Sequence, residues 1–303
     1  MMQIGSEAHK RIFCRQFIDS HQRFDPENLA WPELDKGALE RIRAVPFWQE
    51  VLHTERRAGA IVAAYAATIA DPLVREAVEL QGVEEERHAR LLGVMIWRYG
   101  LAAEEHEIEP TGPDLYTAFA DFGYGECLDS FLGFGVFRIA RQAGFLPDPL
   151  FGIFDMLMLE ETRHIVFFIN WMAWQEAARG RGARWWRWAV SAYYYARAIG
   201  RLVGTIRRGQ KENDGKDFSA TQAGVFLDGF TVRGFVEACH AENARRMADF
   251  PSDLMRPRLL PALAGAALAG LRLFPPRPAR RADASPADPA NMQSGRNRGK
   301  PLQ

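Results

Sequence analysis

Two short stretches concentrate the reactive residue types of this chain: EEERH at 84–88 and EETRH at 160–164. Each places two carboxylates, an arginine and a histidine in apolar surroundings, VELQGVEEERHARLLGVMIW and MLMLEETRHIVFFINW. Burying charges is costly unless something pairs them. Glu85 and His88 are i and i+3, as are Glu161 and His164, so on a helix each pair projects from one face. Carboxylate oxygens and imidazole nitrogens together suit divalent first-row metals. Two near-copies of one costly pattern imply a shared task.

The elements that must carry these residues read as helices. Glycine and proline punctuate long runs of helical periodicity, and strand signals are scarce. Residues 1–45 form a lead-in of short, irregular helical pieces. Helices are expected over about 46–70, 72–99, 113–142 and 148–178. Asp71-Pro72 is a cap-and-first-turn pair for the second, and Gly100 stops it. Further helices are expected over 184–208, 219–248 and 257–272, packing on the bundle within a segment 179–274. Residues 275–303, rich in Pro, Arg and Asn, read as a disordered tail. The fold class is all-α: two antiparallel helix hairpins, 46–99 and 113–178, plus C-terminal helices.

Each Glu-x-x-His pair needs a partner carboxylate at the same depth. Glu55 lies 16 residues before Asp71 and Glu85 lies 14 after it. At ~1.5 Å per residue both sit roughly 21–24 Å from the turn. Glu126 stands before the turn at 144–148 and Glu161 after it, a looser match. Glu55, Glu85, His88, Glu126, Glu161 and His164 then converge. Four carboxylates would offset two divalent ions, which explains the buried charge. Without metal they would repel one another and some would bind protons.

This set resembles the ferritin-like di-iron carboxylate proteins, in which two lone glutamates and two Glu-x-x-His pairs come from four helices. The likeness covers about residues 46–178. It implies a ferritin-like four-helix bundle, two iron ions (or a Mn/Fe pair) and dioxygen as co-substrate. It also implies that Glu84 and Glu160, each just before a ligand glutamate, hydrogen-bond a ligand histidine on the other hairpin, with Arg87 and Arg163 neutralising them. The plainer reading of these four is a set of surface salt bridges. Arylamine N-oxygenases of that superfamily carry a further histidine where this chain has Leu157. The six-residue set is more similar to the aldehyde-deformylating, acyl-desaturating and hydroxylating branches.

Other candidates carry less. Glu237 and His240 form a third Glu-x-x-His without a matching lone glutamate, and read as a surface or packing pair. His53 faces away from Glu55; His9, His21 and His106 have no local context. Asp129, i+3 from Glu126, is either a spare partner or a satisfied polar residue. Gly123, Gly125, Gly133 and Gly135 around Glu126 serve either close packing or a channel. A radical-bearing subunit would need a tyrosine beside a ligand, and Tyr65 and Tyr124 are poorly placed.

Composition sets the outer bounds. The 303 residues are 48 % hydrophobic and 25 % charged, with 38 basic and 38 acidic side chains, so nothing global points to nucleic acid. Three scattered cysteines and no signal peptide fit a reducing, cytoplasmic location. The aromatic, basic stretch 183–208 reads as helix packing with solvated arginines or, alternatively, as peripheral membrane contact. The expected function is a di-iron oxygenase or oxidase acting on a small apolar or amine-bearing substrate. Electrons would come from an external donor, because no CxxC pair is present, and a homodimer is compatible with the fold. Ferroxidase or iron-handling activity and a non-catalytic helical scaffold are the alternatives.

Overall fold

The computed structural model describes residues 3–103, 107–212 and 231–273. Among them are nine α-helices and no strand. A lead-in of α1 (Glu7–Asp19), a 3-10 turn (Pro26–Asn28) and α2 (Lys36–Arg43) precedes four long helices. These are α3 (Trp48–Ala66), α4 (Pro72–Tyr99), α5 (Leu115–Gln142) and α6 (Asp148–Ala178). Then come α7 (Arg184–Glu212), α8 (Val232–Ala248) and α9 (Leu259–Leu273). The expected tail 275–303, His106 and the start of the expected helix 219–248 lie outside the described residues.

Helix ends follow local chemistry. Asp71 accepts from the backbone N–H groups of Leu73 and Val74, and Pro72 occupies the first turn. Left-handed Gly100 ends α4. Asp114 caps α5 by accepting from Thr117 N. The first bundle helix is shorter than the expected 46–70, because the 67–71 segment turns before the Asp71 cap.

The helices pair as α3 with α4 and α5 with α6; α3 also packs on α5, and α1 lies against α4 and α6. The core is layered along the bundle. One apolar layer contains Val74, Val78, Phe119, Phe134, Phe167, Phe168 and Trp171. The other contains Leu91, Leu92, Met95, Leu150, Phe151 and Leu157. Along α4 the chain runs from the first layer to the second, and along α6 it returns. Residues 84–88 and 160–164 therefore sit between two dry layers, each large side chain of which contributes about 1.5–3 kcal/mol on burial. α7 and α8 both pack on the outside of α5.

Candidate metal centre

The charged residues between those layers are almost fully enclosed. Glu84, His88, Glu160 and His164 have no exposed surface, and Glu85 is 1 % exposed. Glu55, on α3, is the most open of the six expected ligands, and Glu126 on α5 is buried. Ligand-type atoms of Glu85, His88, Glu161 and His164 lie within 4.8 Å of one another, so this buried cluster could hold a metal.

The two imidazoles are arranged alike. His88 Nδ1 faces Glu161 Oε1 at 3.1 Å, Glu55 Oε2 at 3.5 Å and Glu85 Oε2 at 3.8 Å. His164 Nδ1 faces Glu126 Oε1 at 2.9 Å and Glu85 Oε1 at 3.1 Å. Glu85 thus turns one oxygen to each ring, and the ring centroids are 5.4 Å apart. The opposite nitrogens cross between motifs. His88 Nε2 donates to Glu160 Oε2 at 3.1 Å, and His164 Nε2 donates to Glu84 Oε2 at 2.8 Å. A proton fixed at Nε2 leaves Nδ1 free to offer its lone pair inward.

The arginines are buried rather than on the surface. Arg87 pairs with Glu160 and lies over the Phe24 ring, 4.2 Å from its centroid. Arg163 pairs with Glu84 at 2.8 Å and lies 4.6 Å from the Phe17 centroid. It also donates to Ser20 Oγ and to the Phe17 carbonyl. These pairs replace the reading of 84, 87, 160 and 163 as surface salt bridges.

Electrostatics describe a cluster short of cations. Burial, reinforced by the charges of Glu161 and Glu85, pushes the Glu55 carboxyl up to about 7. Burial and the Glu85 charge push Glu126 well above the carboxylate range. Burial works against a charged His88, but Glu160, Glu161 and Glu55 around it raise its pKa well above 6.5. His164 behaves likewise against Glu85, Glu126 and Glu84. Glu84 is also desolvated, yet His164 and Arg163 hold it below the usual range. In this arrangement protons occupy the place of cations. His88 Nδ1 is a buried nitrogen without a directional hydrogen-bond partner, despite the carboxylates around it. An inward-facing nitrogen with three carboxylates around it fits a metal ion.

Three contributors carried weaker signals. Gln81 Nε2 donates to Glu85 Oε1 at 3.3 Å and Glu126 Oε2 at 3.4 Å, and stands one turn before Glu85. Ser130 Oγ donates to Glu161 Oε2 at 3.5 Å, one turn after Glu126. Helical spacing alone could have flagged both. His21, which has no local context, bonds Glu84 Oε1 through Nδ1; only the path of the lead-in brings it there. His21, Glu84 and Glu160 are also close enough for a metal, but His88, His164 and the two arginines already engage those carboxylates.

The remaining candidates resolve into packing. Glu237 is exposed and pairs with Arg233 at 3.0 Å along α8. His9 bonds Asn170; Asp129 is exposed as a residue, yet desolvation and the nearby charge of Glu161 push its carboxyl up to about 6, so it borders the cluster. An added Cβ at Gly123 would fall 2.2 Å from the Phe168 ring, and one at Gly135 2.2 Å from Cys239 Sγ. Those two glycines permit close approach of α6 and α8 to α5. Gly133 meets nothing within 4 Å.

No protein-family model, curated protein or solved structure matches this chain. Its class rests on fold and site alone: an all-helical protein with a buried glutamate–histidine cluster that could hold metal.

Proposed function

We propose that the chain is a di-iron oxidoreductase of the ferritin-like carboxylate type, which activates dioxygen to oxidise a small apolar or amine-bearing substrate. The crossed histidine pattern carries this reading: each ring turns Nδ1 to the carboxylate cluster and anchors Nε2 on the other motif. Glu55 and His88 would serve one metal, Glu126 and His164 the other, with Glu85 and Glu161 between them. Iron bound there would supply electrons and open positions for dioxygen. A Mn/Fe pair fits the same donors.

The chain's own groups do the positioning. Glu84 and Glu160 fix the ring orientations, and Arg163 and Arg87 in turn pair with those two carboxylates. Gln81 orients Glu85 and Glu126. Leu91, Leu157 and Phe168, one turn away along α4 and α6, and Val78, two turns before Glu85, exclude water. Cys14, Cys127 and Cys239 are buried and unpaired. That fits a reducing, cytoplasmic setting; with no CxxC pair in the sequence, a separate donor would supply the electrons. No helix among the described residues is long and apolar enough to cross a membrane.

The test is elemental analysis of iron-loaded protein, then absorbance as dioxygen meets the reduced form. About two irons per chain and a transient visible band are expected. Absence of bound transition metal after reconstitution would sink the reading. Iron turnover within a large cage-like assembly would move it to iron handling.

A further inference from the structure

The outer surface of α7 reverses the usual pattern of a soluble helix. Trp185, Trp188, Ala192, Ala196, Ile199 and Val203 recur at helical spacing and are all exposed, Trp185 by 70 %. The stripe runs for about 27 Å at 1.5 Å per residue. The opposite face is anchored: Tyr194 and Tyr195 pack on Tyr124, and Arg197 and Arg201 pair with Asp121 of α5. α9 touches α7 and continues the pattern. From Leu259 to Leu271 it has no polar side chain, yet Leu263 is 56 % exposed and Ala262, Ala266 and Ala267 are exposed beside it. A cleft of about 300 Å³ borders the stripe where Ala189 and Tyr193 line it, together with Tyr116, Trp186 and Tyr194.

Charge accompanies the apolar surface. Residues 179–212 contain nine Arg or Lys and one acid, Glu212, in a chain whose formal net charge is zero. Residues 254–281 contain six arginines and no acid. Exposed Arg184 and Arg207 bracket the stripe without an acidic partner among the described residues. A second copy of the same face would set these basic residues against each other. An anionic bilayer surface offers both complements: acyl depth for the tryptophans and leucines, and phosphate for the arginines.

We propose that the α7–α9 face docks the protein on the interface of an anionic lipid membrane, with both helices lying along it. The face is independent of the metal reading, although α7 packs directly on α5, which carries Glu126.

The test is flotation of the full, metal-loaded chain with phosphatidylcholine vesicles, alone or mixed with phosphatidylglycerol. Binding to the mixed vesicles is expected, weakened by salt, with a blue shift in tryptophan emission. Trp185→Glu combined with Leu263→Glu should weaken it more than about tenfold, at unchanged helix content and metal load. Failure to float with either vesicle would overturn the proposal, as would undiminished binding by the double variant. A concentration-dependent dimer that the double variant makes monomeric, without vesicle binding, would assign the face to a second copy instead.

Discussion

The half-sites built on EEERH and EETRH are identical at four of five positions but do not share the same surroundings. Around α6, Arg163 reaches Glu84, Ser20 and the Phe17 carbonyl, and His164 Nδ1 bonds Glu126. Around α4, Arg87 Nε has no hydrogen-bond partner, and His88 Nδ1 has no well-directed one although Glu161 Oε1 lies 3.1 Å away. Glu84 accepts hydrogen bonds from three groups, His21, Arg163 and His164, with Arg87 a further 3.9 Å away; Glu160 accepts from two, Arg87 and His88. The outer partner Glu55 is 14 % exposed at its side chain, against 8 % for Glu126. The difference arises outside the motifs, in the lead-in: the end of α1 covers Arg163, whereas Phe24 alone stacks on Arg87. Duplicate motifs fix which groups face inward, and their neighbours fix how firmly.

The strongest way to break the comparison is to remove a shared or matched donor. Glu85→Ala, which strips an oxygen from both rings, should abolish two-metal binding while leaving helix content largely intact. His164→Ala should also lose the pair, whereas His88→Ala should retain one metal in the firmer half. Elemental analysis with circular dichroism checks this; two metals at wild-type affinity in Glu85→Ala or His164→Ala would refute the assigned ligands. Next in size are the crossed carboxylates. Glu84→Gln and Glu160→Gln should each lower metal affinity by roughly 10–100-fold. Glu84→Gln should cost more stability, because it strands Arg163 and His21 together. Equal urea midpoints would show that the halves are energetically alike.

Protons give a gentler test that both halves share. Glu55 and Glu126 are raised in the folded protein, as are His88 and His164. For these groups the folded chain binds more protons than the unfolded one. Their contribution to metal-free stability is present at low pH and lost as pH rises through their folded values. The window opens at 4.5 and runs to about 7 for Glu55, and extends above 6.5 for the histidines. Glu84 and Glu161 act oppositely, losing their contribution as pH falls below 4.5. The thermal midpoint of chelated protein should therefore fall from pH 5 to pH 8, approximately, and metal loading should flatten the curve and release protons. A midpoint that rises over that range would contradict the assignment. The smallest effect is expected from His21→Ala, about 1.5 kcal/mol in chemical denaturation, with metal stoichiometry unchanged. No such loss would mean His21 does not support the Glu84 half.

Helical periodicity, the Asp71-Pro72 start and the stops at Gly100 and Gly144 made the four long helices readable, because those signals act within a few residues. The i, i+3 spacing likewise placed Glu85 with His88 and Glu161 with His164. The resemblance, rather than spacing, suggested the crossing of Glu84 and Glu160 between hairpins. Glycine spacing around Glu126 was ambiguous: Gly123 and Gly135 meet a ring and a cysteine from other helices, and no local pattern reports that.

The sequence by itself therefore determined an all-helical chain, which groups share a helix face, and the concentration of costly charge at two equivalent heights. Those properties follow from backbone geometry and from the price of desolvating charge. Only the tertiary structure decided that His21 supports Glu84, that Arg87 and Arg163 are sealed under phenylalanines, and that α7 and α9 turn apolar residues outward. Each of these depends on which segments, far apart along the chain, pack together, and such contacts have no local periodicity to announce them.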